Sequence, residues 1–190
     1  MQILKQKILQ SGKIYPNNVL KVDSFLNHQV DVALLAELSK ELFRLYKDSG
    51  VTKILTIETS GIMLACLTAQ VFNVPMLYAK KTKTSNMSED VFTAQVFSYT
   101  HYKEYTIYVS KEYLSSSDKV LLIDDFLANG FSMKGLVQLA QSAGATVVGA
   151  GVAIEKGFQG GGDILRSLGL RIEAMAIIDS MTEEGIIFRE

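Results

Sequence analysis

This sequence of 190 residues has a single cysteine, no surplus of basic charge and no long uncharged apolar run. A lone cysteine, Cys66, excludes a disulfide framework, and its apolar, helix-like neighbourhood predicts a buried thiol. Lysine and arginine together number 19 against 20 acidic residues, so the net charge is −1. Without a cationic surplus to displace counterions, nucleic acid is not expected as a partner.

The N-terminal stretch, residues 1–8, is interrupted by Lys5 and Lys7. These charges exclude a membrane span and are not typical of a signal peptide, so we expect a cytoplasmic protein with no membrane partner. Hydrophobic residues make up 48% and charged residues 21% of the chain, which is typical of a globular domain. Because no internal repeat or low-complexity linker divides them, residues 1–190 are predicted to form a single domain.

Helical and extended patterns alternate along the chain. Leucines at helical spacing predict an amphipathic helix that ends near residue 50: Leu35, Leu38, Leu42 and Leu45. Further strands are predicted at 53–57, 76–80, 120–123, 146–154 and 171–178, and further helices at 61–72 and 133–140. This order predicts parallel βαβ units, that is, an α/β protein with a mostly parallel sheet flanked by helices. Residues 91–97 and 105–109 break the order and are predicted as two neighbouring antiparallel strands.

The stretch from Val120 to Ser132 carries the clearest functional pattern. Four apolar residues lead to Asp124 and Asp125, and a loop of small residues then opens onto a helical pattern from Met133. A strand, a loop and a helix N-terminus in this order present backbone N–H groups and the positive end of the helix dipole to an anion. The carboxylates can accept hydrogen bonds from vicinal hydroxyls. Together these features indicate a site for a ribose 5-phosphate. The alternative is a plain connection whose acids only cap the helix.

Two other polar positions follow predicted strands, where ligands gather in doubly wound sheets. Thr59 and Ser60 lie in a polar turn between the 53–57 strand and the next helix, either as anion-binding residues or as ordinary helix caps. Lys156 stands as a single cation just after the 146–154 strand. It either points into water or donates to a carbonyl oxygen of a ligand.

Residues 120–132 resemble the phosphoribosyl-diphosphate (PRPP) motif of type I phosphoribosyltransferases, in which two acids follow a hydrophobic strand and precede a phosphate-binding loop. Asn129 and Ser132 stand where threonine is usual, and both keep side chains that can hydrogen-bond phosphate. The resemblance extends over essentially the whole chain. In residues 19–31, in the 123–130 core and in the Glu-Lys-Gly-Phe-Gln-Gly-Gly run after the 146–154 strand, it is closest to the bacterial xanthine phosphoribosyltransferases.

This resemblance implies the type I phosphoribosyltransferase fold, in which an N-terminal hood (1–32) covers the base and the region 81–110 supplies a flexible lid loop and an antiparallel insertion. It implies transfer of the phosphoribosyl group from PRPP to N9 of xanthine, with pyrophosphate as the other product. Mg²⁺ is expected to bind through PRPP rather than through protein ligands. A homodimer is expected. A mobile lid would keep water from the cationic transition state.

The resemblance also assigns roles to individual residues. Asp124 and Asp125 are expected to hold the ribose and to stabilise positive charge at C1′. The other assigned residues are expected to bind parts of the two substrates: Ala128, Asn129, Gly130, Phe131 and Ser132 the 5′-phosphate; Thr59, Ser60 and Lys81 the pyrophosphate; Leu20, Asn27 and Lys156 the purine.

The choice among purines depends on two of these positions. A lysine donor at Lys156 favours a C6 oxygen over an amino group, which argues against adenine. Ala128 stands where hypoxanthine–guanine enzymes carry a third acid, so that general base is absent, and xanthine needs it least because it is the more acidic purine. Phe126 is either an apolar wall for the base or a core residue. The alternatives are a guanine/hypoxanthine or adenine enzyme and a non-catalytic PRPP-sensing regulator. Such regulators usually add a DNA-binding domain, for which this chain has neither the length nor the charge.

Overall fold

Helices and strands alternate in the computed structural model, which describes residues 1–83, 87, 89–98, 103–182 and 184–190. The helices are α1 (Gln2–Ser11), α2 (Val32–Tyr46), α3 (Gly61–Phe72), α4 (Phe131–Ser142) and α5 (Gly161–Ser167). The strands are β1 (Lys13–Tyr15), β2 (Val19–Lys21), β3 (Lys53–Ile57), β4 (Met76–Ala79), β5 (Val91–Ser98), β6 (Lys103–Ser110), β7 (Lys119–Leu127), β8 (Thr146–Lys156), β9 (Ile172–Thr182) and β10 (Gly185–Phe188).

A six-stranded sheet in the order β10-β9-β8-β7-β3-β4 forms the centre of the molecule. Its strands pair in parallel except for β10, which runs antiparallel to β9 at one edge. The predicted mostly parallel α/β architecture is therefore confirmed. Residues 120–123 of β7 are fully buried, because helices or the β5–β6 pair cover both faces of the sheet.

Two apolar layers sandwich this sheet. On one face, α1, α2 and α3 bury a layer that includes Leu35, Leu38 and Leu42, the leucines that predicted the second helix. Each is fully buried, and burying such a side chain contributes about 1.5–3 kcal/mol. On the other face, α4 packs with the β5–β6 hairpin through residues such as Met133 and Ile107. The predicted antiparallel pair is confirmed: β5 and β6 pair from Val91↔Ser110 to Ser98↔Lys103.

The segment before α2 folds irregularly. It contains α1, the short β1–β2 hairpin, whose turn has Asn17 and Asn18 at positive φ, and a π-helical turn at Asp23–Asn27. None of these elements was predicted, since the segment lacks a sustained period. Within the described residues, no helix has both the length and the apolar character that a membrane span requires.

Two sequence-based expectations about individual positions were wrong. Cys66 is exposed, because it lies on the outer side of α3 while Leu64 and Ala65 face the core. The strand that precedes the acid pair does not end at Ile123. It continues to Leu127, and the acids are therefore residues of β7.

Candidate active site

A cleft of about 310 Å³ opens at the carboxyl ends of β3 and β7, where α3 and α4 begin. It brings together ten of the predicted site residues: Thr59, Ser60, Lys81, Asp124, Asp125, Ala128, Asn129, Gly130, Phe131 and Ser132. Because parallel strands end at one edge of the sheet, turns far apart in sequence meet there. The three predicted purine contacts are outside this lining.

The acid pair is nearly buried. Asp124 is 7% and Asp125 9% exposed, and the Asp125 N–H donates to Asp124 Oδ1 at 2.9 Å. Asp124 packs against Gly61, the first residue of α3, where a Cβ would lie 2.8 Å from its Oδ1. Burial, reinforced by the negative charge of Asp125, raises the pKa of Asp124 well above its usual range, and the positive charge of Lys81 acts in the opposite direction.

Two helices, α3 and α4, begin at the cleft. The cap residues are Ser60 for α3 and Gly130 for α4, and in the described structure neither helix receives a side-chain capping bond. The first N–H groups of a helix have no partner within the helix. Ser60 therefore takes the cap position of α3 without making the side-chain bond of an ordinary helix cap, and Gly130, not an acid, takes the cap position of α4. Two sets of N–H donors at one cleft suit two anionic groups.

The loop of residues 128–132, called the phosphate loop after its predicted role, rests on the start of α5. The Gly161 N–H donates to the Ala128 carbonyl at 3.1 Å, and a Cβ on Gly161 would lie only 2.3 Å from that oxygen. A bidentate ion pair anchors α5 beneath the loop: Arg166 donates to both carboxylate oxygens of the fully buried Glu155, at 2.6 and 2.8 Å. Glycine at 161 is therefore required by the close approach of two backbones.

Lys81 enters the cleft from the opposite side. Its backbone N–H donates to Glu58 Oε2 at 2.9 Å, and its Nζ lies 5.5 Å from the ring centroid of Tyr105. The predicted lid loop follows it, but residues 84–86 and 88 of that loop lie outside the described residues. The peptide bond between Glu58 and Thr59 is cis.

The predicted purine contacts lie around the other side of the acid pair. Asn27 Nδ2 donates to Asp125 Oδ2 at 3.2 Å, which places the N-terminal segment next to the acid pair. Lys156 Nζ donates to the Asn18 carbonyl at 2.8 Å and lies 5.6 Å from the Phe126 ring centroid. Burial lowers the pKa of Lys156. Leu20 is 6% exposed and packs in the apolar layer formed with α1, α2 and α3.

Three charged or aromatic residues of the cleft were missed by sequence reasoning. Glu58 begins the polar turn that contains Thr59, so its place directly after β3 was a usable signal. Phe97 and Tyr105 come from the β5–β6 hairpin, and their place at the cleft follows from the packing of that hairpin on α4. No local pattern in the sequence marks them.

Two helix starts and a buried carboxylate pair, all at the carboxyl ends of parallel strands, form a site whose chemistry suits a phosphorylated sugar carrying a second anionic group. The family described as phosphoribosyl transferase domain matches residues 21–162. This chain therefore belongs to the phosphoribosyltransferase family.

Similar proteins cover the chain from end to end. A xanthine phosphoribosyltransferase of Lachnoclostridium phytofermentans is 52% identical, with 100% of this chain and 98% of the relative covered. A second xanthine phosphoribosyltransferase, of Ruminiclostridium cellulolyticum, is 51% identical with both chains covered completely. The crystal structure of an APRTase from Giardia lamblia with 9-deazaadenine superimposes with a TM-score of 0.77 at 24% identity, covering 92% of this chain and 96% of that one. This last likeness concerns the fold alone, and it confirms the type I architecture.

Proposed function

We propose that this protein transfers the phosphoribosyl group of PRPP to N9 of xanthine, forming xanthosine 5′-monophosphate and pyrophosphate in purine salvage. The observation that carries the proposal is the single cleft that joins both helix N-termini to the acid pair. Relatives named xanthine phosphoribosyltransferase, about half identical over the whole chain, support the choice of reaction and base.

PRPP has three polar parts, and the cleft offers a partner for each. The N–H groups at the start of α4, with the side chains of Asn129 and Ser132, suit the 5′-phosphate. The turn at Thr59 and Ser60, with the Lys81 ammonium, suits the pyrophosphate. Asp124 and Asp125 lie between these subsites and suit the ribose hydroxyls, because ionised carboxylates only accept hydrogen bonds.

The reaction breaks the bond between C1′ and the pyrophosphate oxygen and forms a bond between C1′ and purine N9. Positive charge develops on the ribose as pyrophosphate departs. Two nearly buried carboxylates stabilise that charge more strongly than water would, because the surroundings are less polar and already oriented. The same developing charge favours the ionised form of Asp124, whose pKa is raised by burial.

Mg²⁺ is proposed to bind through PRPP. The carboxylates of Glu58, Asp124 and Asp125 are oxygen ligands of the kind that Mg²⁺ prefers, so the residues of the cleft fit this ion. Among the described residues, no group of three His, Cys, Asp or Glu side chains is arranged as a metal cage. Such a cage is not needed by an ion that keeps water and phosphate oxygens as ligands. When bound, Mg²⁺ neutralises pyrophosphate and makes it a better leaving group.

The purine is proposed to lie beside Asp125, between the N-terminal segment and the end of β8. Lys156 would donate to the C6 oxygen, and Asn27 would read another edge of the base, since an amide can donate and accept. The 5.6 Å between Lys156 Nζ and the Phe126 ring supports Phe126 as an apolar wall near that lysine. Leu20 would contact the base from the hood.

We also propose that residues 1–190 act as one domain, with residues 1–32 as the hood and 81–110 as the lid and insertion. The protein is proposed to work in the cytoplasm as a two-fold homodimer, the commonest closed symmetry. Sedimentation at micromolar concentration checks the assembly. A fully active monomer would contradict the dimer without touching the proposed reaction.

Incubation with PRPP, Mg²⁺ and one purine base at a time tests the reaction. Nucleotide is expected from xanthine at the highest kcat/KM, and adenine is expected to give none. A higher kcat/KM with guanine or hypoxanthine would reassign the base while keeping the enzyme class. Binding of PRPP without nucleotide from any base would favour the non-catalytic sensor.

A further inference from the structure

The β5–β6 hairpin forms a wall of the cleft and is fixed against α4. A Cβ on Gly135 would lie 2.5 Å from Val96 Cγ2, so glycine at this position lets the hairpin approach the first turns of the helix. Phe97 of β5 contacts Phe131 edge to face, with ring centroids 5.8 Å apart. The hairpin is thus held at the N-terminal end of α4, where the 5′-phosphate is proposed to bind.

Tyr105 of β6 projects from this wall into the cleft. It pairs with Val96 in the hairpin register, is half-buried, and lines the cleft together with Ser132, whose side chain acts to lower the pKa of Tyr105. Ser132 lies in the first turn of α4, so Tyr105 and the N–H groups at that helix start face the same cleft. The hairpin thus reaches the phosphate loop through the contact of Phe97 with Phe131, and Tyr105 lines the cleft beside it.

The chemistry of this phenol suits an anion. Burial, together with the negative charge of Asp124, raises the pKa of Tyr105, so it remains a neutral O–H donor at physiological pH. A hydroxyl can donate one hydrogen bond while accepting another. Ser132 can therefore donate to the Tyr105 oxygen while the phenolic proton is donated to a phosphate oxygen. The Lys81 ammonium, 5.5 Å from the ring centroid, adds positive charge on the same side of the cleft.

We propose that Tyr105 is a substrate-binding residue, and that its hydroxyl binds the 5′-phosphate of PRPP together with the N-terminus of α4. The antiparallel hairpin then contributes to substrate recognition as well as to packing. This inference rests on the proposed function, since it names a further contact in the same site.

Separate binding of the two halves of the substrate tests this contact. Ribose 5-phosphate carries the 5′-phosphate alone, and Mg²⁺-pyrophosphate probes the other subsite. In Tyr105→Phe, the affinity for ribose 5-phosphate should fall about tenfold or more, as expected for the loss of one hydrogen bond to a charged group. The affinity for pyrophosphate should stay within about twofold, because the ring beneath Lys81 is kept.

Tyr108→Phe is the matched control. Tyr108 lies on the same strand, but three residues along, where strand geometry directs its side chain to the opposite face. Both affinities of this variant should stay within about twofold of the parent, and thermal unfolding should show that both variants are folded.

The outcomes separate this contact from the proposed reaction. A Tyr105→Phe variant that binds ribose 5-phosphate like the parent, or loses both ligands equally, would overturn the contact and leave the reaction standing. A parent protein that binds ribose 5-phosphate but makes no nucleotide, with Tyr105→Phe weakened selectively, would keep the contact and overturn the reaction. A parent that binds neither ligand would overturn both.

Discussion

The two halves of the candidate site are built in different ways. The half proposed for PRPP consists of two strand-to-helix turns and an acid pair, each supplied by a continuous segment of the parallel sheet. The half proposed for the base is assembled from contacts across long sequence distances, such as Asn27 to Asp125 and Lys156 to the Asn18 carbonyl. Regular secondary structure fixes the first half, and the docking of an irregular segment fixes the second.

This difference predicts how the two halves vary within the fold. Helix N-termini at strand ends bind phosphate through backbone N–H groups, so the side chains there can change while the function stays. Base recognition, as proposed above, depends instead on particular side chains from residues 1–32 and from the end of β8. Variants that damage one half and spare the other are therefore the sharpest tests of the division.

The largest effect is expected for Asp124→Asn combined with Asp125→Asn. The change keeps shape and most hydrogen bonding but removes both charges that face the developing cation. If each contributes about 2–3 kcal/mol, turnover should fall by about a thousandfold or more. Steady-state kinetics with saturating PRPP measures this.

The loss from the double acid variant should be the same whichever base is offered, because the acids act on the ribose. A fall confined to one purine would move the acids from the PRPP half to the base half. Near-normal turnover would contradict their role altogether.

The next effect is expected on the base half alone. Lys156→Met removes the donor but keeps an unbranched stem, so the fold should change little. An unpaired C6 oxygen costs about 1–3 kcal/mol, so kcat/KM for xanthine should fall roughly tenfold to a hundredfold. Because the same ammonium holds the Asn18 carbonyl, Lys156→Arg serves as the control that keeps a cation for the hood.

Binding of PRPP to Lys156→Met, measured directly, should match the parent within about twofold. Equal losses for PRPP and for xanthine would mean that Lys156 supports the hood or the phosphates rather than the base. Adenine, which lacks the C6 oxygen, should gain nothing or improve slightly.

A smaller loss is expected for Gly161→Ala, and it should affect the PRPP half alone. The added Cβ would lie 2.3 Å from the Ala128 carbonyl oxygen, so the phosphate loop must shift. The KM for PRPP should rise several-fold, and a shift of an ångström can cost more. Gly160→Ala is the control: it has the strain of a positive φ but no atom within 4 Å of its Cβ. Equal kinetics for the two variants would contradict the proposed support of the loop by α5.

The sequence was most informative where period and turn chemistry agree. The bounds of β3 and α3 match the predicted 53–57 and 61–72 segments, because buried apolar runs end at polar, glycine-containing turns. The acid pair and the phosphate loop were found for the same reason. The edge strand β10 and the short helix α5 were not predicted, because each is only a few residues long and is stabilised mainly by packing against neighbouring elements.

Long-range packing set the rest of the site, and a single sequence does not carry it. Tyr105 reaches the cleft because the hairpin packs on α4, and Asn27 reaches Asp125 because the π-helical turn packs its Phe25 and Leu26 in the core. Cys66 was assigned to the core because its neighbours are apolar. Its helix, α3, is apolar on most sides, so the spacing of apolar residues could not show which side of the helix is exposed.

The smallest effect is expected on the free energy of unfolding of the ligand-free protein, and it depends on the charge of Asp124 in the PRPP half. A raised folded-state pKa means that folding favours the protonated Asp124. Its contribution to stability is present below the ordinary carboxyl range and is lost as pH rises through the raised pKa. Asp124→Asn should therefore be more stable than the parent at pH 7, with the difference shrinking on acidification. Urea unfolding of the ligand-free proteins between pH 4 and pH 8 measures it. Asp118→Asn should show the opposite trend: despite burial, Lys53 at 2.9 Å holds the pKa of Asp118 low, so this variant should lose stability at pH 7 and converge with the parent in acid. A pH-independent difference for Asp124→Asn would mean that the empty site does not disfavour this charge.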